Sequence, residues 1–178
     1  MEERIFHFSK RENKMKTCLF AGTFDPITKG HYDTVIRLLN KYEKVVVAIG
    51  VNPEKTPMFS LEDRREFIKG AFANFDNVIV DSYDCLTVSY MQKNGIKVLV
   101  RGIRNQTDLA FEKENEKKSK EIYPQLITEY IEALNEDKLI SSTFVKKEIL
   151  EGKDFSSLVP SGAFALIKKA IERIEAKK

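Results

Sequence analysis

Short apolar runs recur along the chain at regular intervals. Residues 17–21 (TCLFA), 45–51 (VVVAIGV), 78–80 (VIV) and 96–100 (IKVLV) are rich in β-branched residues and bounded by turn residues. They are apolar on consecutive rather than alternating positions, which predicts strands of a parallel sheet covered on both faces. Between them the period changes to that of a helix. Residues 30–41 place Val35, Ile36, Leu38 and Leu39 on one stripe, and Ser60-x-x-Asp63 caps a run carrying Phe67, Ile68, Ala71, Phe72 and Phe75. Leu86 to Asn94 holds Val88, Tyr90 and Met91, and Gly95 closes it as a left-handed cap.

The last third is less regular. Gln106 to Glu121 is highly charged and ends before Pro124, and the mixed-sign run KENEKKSKE (113–121) predicts a solvated helix face. Residues 126–133 (LITEYIEA) fit a fifth strand or a helix; strand is favoured, since Ile127, Tyr130 and Ile131 suit strands and the run is short. A helix follows from Ser141 to Glu151, stopped by Gly152, and Pro160 opens a final amphipathic helix with Phe164, Ile167, Ala170, Ile171 and Ile174. This alternation predicts an α/β fold: a doubly wound, five-stranded parallel sheet in a single domain spanning 15–178. Residues 1–14 are polar, precede an internal Met15, and are expected to be a disordered N-terminal extension.

Composition narrows the chemistry. With 30 Lys+Arg against 27 Asp+Glu in 178 residues, the net charge is 30 − 27 = +3, which disfavours a dedicated nucleic-acid scaffold. The two cysteines, Cys18 and Cys85, form no CxxC pair, so a disulfide framework and a thiolate zinc site are excluded, and a reducing cytosol is expected. His7 and His31 are the two histidines, too few for a multi-histidine metal centre. No apolar run approaches the roughly 20 residues that span a bilayer, and no membrane partner is expected. Catalysis must then rest on phosphate-type contacts, carboxylates or one well-placed imidazole.

Several stretches suit anions. The first strand runs into Gly22-Thr23-Phe24-Asp25-Pro26, and Thr28-Lys29-Gly30-His31 opens a helix. A strand end, a tight loop whose glycine lets a ligand approach the backbone, and a helix N-terminus together form an anion site. On its own this stretch also reads as an ordinary βα turn with a surface histidine. A neutral His31 there could donate one N–H to a phosphate oxygen. Arg101-Gly102-Ile103-Arg104 follows the fourth strand, where two arginines can fork around phosphates or pair with carboxylates such as Asp108 and Glu112. Ser141-Ser142-Thr143 offers more hydroxyls than an N-cap needs, and Lys146 lies one turn on. Lys55 sits in a loop stiffened by Pro53 and Pro57. Strand ends and helix starts of one sheet edge therefore carry several anion sites and one histidine. That combination points to a nucleoside triphosphate undergoing phosphoryl or nucleotidyl transfer, and neither GxxxxGK[ST] nor GxGxxG is present.

Four stretches in order, GTFDPITKGH (22–31), NPEKTPMFSLEDR (52–64), VRGIRNQTDLAFE (100–112) and ISSTFVK (140–146), resemble the bacterial phosphopantetheine adenylyltransferase family of T/H-x-G-H nucleotidyltransferases. The resemblance covers about residues 16–172. It implies a Rossmann-like fold and the reaction of ATP with 4′-phosphopantetheine to give dephospho-coenzyme A and pyrophosphate, with Mg²⁺, a homohexamer, and coenzyme A as a feedback inhibitor. By position it implies that Thr23 contacts both the pantetheine phosphate and ATP, that the Phe24 backbone meets ATP, and that His31 stabilises the transition state. It implies acceptor contacts for Lys55, Thr87 and Arg101. It implies ATP contacts for Gly102, Ile103, Arg104 and Glu112, and for Asp137, Lys138, Leu139, Ile140, Ser141, Ser142 and Thr143, with Arg104 also counted with His31 and Lys55 in catalysis. Two departures stand out: residues 135–139 (NEDKL) are more polar than the family's stretch, and Thr143 replaces a usual serine. The ISST ending also occurs in nicotinamide mononucleotide adenylyltransferases, so a sister acceptor stays open.

Overall fold

A computed structural model describes residues 15–134 and 138–176. Five strands, β1 (Met15–Gly22), β2 (Tyr42–Gly50), β3 (Val78–Tyr83), β4 (Val98–Ile103) and β5 (Ile127–Glu132), form one sheet in the order β3-β2-β1-β4-β5. Every neighbouring pair is parallel. The helices are α1 (Lys29–Leu39), α2 (Leu61–Ala71), α3 (Thr87–Lys93), α4 (Gln106–Ile122), α5 (Ser142–Leu150) and α6 (Ser161–Glu175), with a short 3-10 turn at Ser156–Leu158.

The unbroken apolar runs are explained by two cores. Cys18, Phe20, Val45, Val47, Ile49, Val98 and Val100 face one layer, where Val35 and Leu38 of α1, Phe67 and Ile68 of α2, Val145 of α5 and Ile167 of α6 close over them. Leu19, Ala21, Val46, Ala48 and Leu99 face the other, against Val88, Tyr90 and Met91 of α3 and Tyr123 and Leu126 beyond α4. Neighbouring residues of β1 and β2 thus point into opposite cores, as a doubly covered strand requires. α4 buries none of its side chains, in keeping with its charged sequence. It carries the expected solvated pairs, among them Glu114–Lys118 and Glu116–Lys120.

The predicted fifth strand is present, and Gly95 and Gly152 close α3 and α5 at φ +65° and +69°. Several boundaries differ from the sequence prediction: β1 and β2 start earlier, at Met15 and Tyr42, and β3 runs on to Tyr83. β4 begins at Val98 and runs through Arg101, Gly102 and Ile103, which pair with Tyr130, Ile131 and Glu132 of β5. The ladder with β5 extends the strand past its apolar run, and only Arg104 lies beyond its end. The proposed extension, residues 1–14, lies outside the described residues.

The order of strands places the site. From β1 the chain winds to β2 and β3 on one side, then returns to β4 and β5 on the other. The carboxyl ends of β1 and β4 diverge at this switch, where α/β sheets bind ligands.

Candidate active site

A cavity of about 560 Å³ opens at the switch point. Its walls come from the β1–α1 loop, the start of α1, the Lys55 loop, the end of β4 and the start of α5.

The β1–α1 loop is shaped from within. Phe24 is 2% exposed and has φ +47°, a left-handed conformation that a bulky residue rarely adopts. Its ring packs edge-on against Phe20 at 5.6 Å and His31 at 5.0 Å between centroids. A Cβ at Gly22 would lie 3.0 Å from that ring. Gly22 thus makes room for Phe24, whereas the sequence had suggested room for a ligand.

Thr28 and His31 form an unusual capping box. The Thr28 hydroxyl accepts the His31 backbone N–H at 3.4 Å, and His31 Nδ1 accepts the Thr28 backbone N–H at 3.0 Å. An imidazole does the work that Glu or Gln ordinarily does at this position. Since Nδ1 accepts, the ring's proton sits on Nε2. Burial, and secondarily the Arg104 guanidinium, push the His31 pKa down to about 4. At neutral pH the ring is an uncharged donor lining the cavity.

Asp25 holds the walls together. It is 3% exposed; Oδ1 accepts the Phe59 N–H at 3.0 Å, and Oδ2 accepts the Met58 N–H at 3.0 Å and the Lys146 ammonium at 2.9 Å. From the opposite direction Arg64, 4% exposed, donates through Nη1 to the Thr23 carbonyl at 2.9 Å and through Nε to the Ser60 carbonyl at 3.4 Å. The β1–α1 loop and the segment following Lys55 are therefore tied at two points. In the sequence Asp25 reads only as a turn residue, and nothing marks Arg64. Their burial at a strand-end loop and in the first turn of α2 has no signature in one sequence.

The three hydroxyls at α5 divide their work. Ser141 caps the helix by accepting the Phe144 N–H at 3.0 Å, and Ser142 donates to the Pro26 carbonyl at 2.8 Å. Thr143 faces the cavity. Lys55 is presented by a turn in which Asn52 accepts the N–H groups of Glu54 and Lys55, through its side chain and its carbonyl respectively.

Of the residues singled out in the sequence, the structure brings Thr23, Phe24, His31, Lys55, Gly102, Arg104, Ile140, Ser141, Ser142 and Thr143 to the cavity. Six others do not line it. Arg101 pairs with Glu112 at 3.3 Å, Thr87 shares a 2.9 Å hydrogen bond with the Tyr83 hydroxyl, Ile103 is buried, and Lys138 and Leu139 are exposed. Asp137 lies outside the described residues. Arg104, half-exposed, is held by Asp108 at 3.1 Å.

Lys55, Arg104 and Lys146 face a single acid, Asp25, among the described residues of the wall, and Asp25 is already committed. The N-termini of α1 and α5 also converge here. The cavity is built for an anion with several charges.

Comparison with known proteins gives the chemistry a name. Residues 19–148 match the cytidylyltransferase-like family. A phosphopantetheine adenylyltransferase from Thermotoga neapolitana is 40% identical over 155 residues, covering 86% of this chain and 96% of that protein. The chain belongs to the phosphopantetheine adenylyltransferase family. A second member of that family, from Flavobacterium psychrophilum, is 39% identical over 82% of this chain and 96% of its own. A solved bifunctional NMN adenylyltransferase/ADP ribose pyrophosphatase from Francisella tularensis, complexed with AMP and a manganese ion, superposes with a TM-score of 0.66 at 18% identity. It covers 91% of this chain and 52% of that one, a likeness that shows the fold alone. As a phosphopantetheine adenylyltransferase family member the chain is a nucleotidyltransferase, and the α/β fold with a strand-end site agrees with that chemistry. Among the described residues no helix is long and apolar enough to cross a membrane.

Proposed function

We propose that the chain transfers the adenylyl group of ATP to 4′-phosphopantetheine, releasing pyrophosphate and giving dephospho-coenzyme A. The observation that carries this reading is the neutral His31, aimed with Lys55, Arg104 and Lys146 into one strand-end cavity.

The acceptor phosphate is already an anionic nucleophile. Its oxygen forms a bond to the α-phosphorus while the bond from that phosphorus to the bridging oxygen of pyrophosphate breaks. No proton need be removed, and the wall offers no base for it: His31 has a pKa of about 4, and Asp25 is held by Lys146 and two backbone N–H groups. The chain's task is alignment and charge compensation. Lys55 and Thr23 hold the acceptor phosphate. His31 Nε2–H donates to the α-phosphate as charge grows there. Arg104, Lys146 and the N-terminus of α5, with Ser141 to Thr143, hold the rest of the nucleotide. In this reading Thr87 contacts the pantetheine arm, and Arg101 binds the same substrate. Glu112, Ile103 and the stretch from Lys138 to Ile140 flank the nucleotide.

Mg²⁺ belongs to the substrate, as MgATP. Among the described residues no three His, Cys, Asp or Glu side chains are grouped to hold a metal, and the cavity's one acid is committed. A magnesium ion carried by the phosphates of ATP needs few protein ligands. The reading also includes a cytosolic setting, coenzyme A as a feedback ligand of the same cavity, and a homohexamer. Exposed Leu86, Phe111 and Ile122 supply apolar surface for such an assembly.

Pyrophosphate release tests the reading. The protein is supplied with MgATP and, in turn, 4′-phosphopantetheine, nicotinamide mononucleotide and glycerol phosphate. Release is expected with phosphopantetheine. Release with nicotinamide mononucleotide and none with phosphopantetheine would replace it with the sister activity.

A further inference from the structure

Beside the main cavity lies a smaller one of about 180 Å³, and the two share Thr23, Lys55 and Pro57. Arg64 borders only the smaller one. Its guanidinium is in an uncommon state. It is 4% exposed, yet no carboxylate stands within ion-pair distance among the described residues. Asp25, whose charge favours the guanidinium from beyond ion-pair distance, gives its ion pair to Lys146 instead. Arg64 spends Nη1 on the Thr23 carbonyl and Nε on the Ser60 carbonyl, and Nη2 has no partner among the described residues. A buried guanidinium with no carboxylate in contact is costly, even with the Asp25 charge acting on it from farther off, and an anion arriving beside it would lower that cost. The small cavity supplies the place: two cations, Lys55 and Arg64, line it, and no acid does among the described residues.

We propose that Arg64 is a second cation of the acceptor-phosphate subsite, donating its free guanidinium edge to the phosphate monoester held between it and Lys55. This rests on the phosphopantetheine reading above and adds the residue that would read the phosphate. A planar guanidinium suits two phosphate oxygens at once, which an exposed lysine alone does not. Because Arg64 also holds the Thr23 carbonyl, phosphate binding and the shape of the β1–α1 loop are joined through one side chain.

The test compares affinities for 4′-phosphopantetheine, for pantetheine lacking the phosphate, and for ATP, by titration calorimetry on the wild-type chain, Arg64→Met and Arg64→Lys. In Arg64→Met the affinity for phosphopantetheine is expected to fall about 10- to 100-fold, the range for a charge-assisted hydrogen bond, with pantetheine and ATP changed less than about threefold. Arg64→Lys, which keeps the charge but loses the fork, should fall between. Arg64→Met that still prefers phosphopantetheine as strongly as wild type overturns the assignment. So does a parallel loss for all three ligands, which would mark a purely structural role. Should Arg64→Met fail to fold, undiminished preference in Arg64→Lys overturns it equally. A wild-type chain that binds both acceptors alike overturns the functional reading itself.

Discussion

The backbone N–H of Thr28 donates to Nδ1 of His31 at 3.0 Å. That one bond fixes three properties of the site. It holds the ring over the start of α1, it places the ring's proton on Nε2, and it explains why threonine and histidine stand three residues apart. The spacing is that of an N-cap and the third helical residue. A helix cap and, in the proposed reaction, a phosphate donor share the same pair of side chains.

His31→Ala should lower turnover by about 10²–10³-fold, the loss found when one preorganised donor to a developing anion is removed. ATP affinity should change far less. Steady-state pyrophosphate release and a nucleotide titration on the same variant check both parts; turnover near that of wild type would remove His31 from the mechanism.

The depressed pKa of His31 gives a signed dependence on pH. In the unfolded chain the imidazole takes up its proton near its ordinary value of 6.5, whereas in the folded chain it does so only near 4. Between these values the unfolded state binds more protons, so stability falls as pH drops from about 6.5 to about 4. Denaturant midpoints across that window should decline, and the decline should be shallower in His31→Asn. The catalytic rate should show no step attributable to this ring near pH 6.5.

Asp25→Asn removes the ion pair to Lys146 and leaves one of two backbone N–H groups without an acceptor. A loss of about 2–3 kcal/mol is expected, as for hydrogen bonds to a buried charged group. Urea unfolding measures it. Lys146→Met should cost less, because Asp25 would keep both backbone partners.

Gly162→Ala tests the packing of α6 on α2. A Cβ there would run into the Gly70 carbonyl, and one at Gly70 would lie 2.6 Å from the Gly162 carbonyl, so backbone would have to move. Overpacking of this kind costs about 1–3 kcal/mol. Gly22→Ala should cost a similar amount through the Phe24 ring, and should also slow turnover, because that ring packs on His31. Midpoint shifts for both variants, with turnover for the second, decide it.

The legible parts of the fold were those set by local pattern. Runs apolar at consecutive positions in β1 and β2 required cover on both faces, and Ser60-x-x-Asp63 and Gly95 marked helix ends that the structure keeps. The end of β4 was not legible, because Arg101 to Ile103 become strand only through pairing with β5. In the site, His31, Lys55, Arg104 and the α5 hydroxyls lay in recognisable stretches and reach one cavity. Arg101 and Glu112 belong to the same stretches but stand outside the cavity wall, since neighbours in sequence diverge in a pleated strand or around a helix, and Thr87, which lies in none of these stretches, stands outside it too.

The sequence by itself determined an α/β sheet with turns suited to anions at its strand ends, because hydrophobic period, caps and turn residues act over a few positions. Only the tertiary structure decided which turns converge. Strand order put the ends of β1 and β4 side by side, and burial then made His31 neutral, gave Asp25 to Lys146, and left Arg64 with no carboxylate in contact among the described residues. Those outcomes depend on distances between segments far apart in the chain, and on the loss of water around them, which no local pattern encodes.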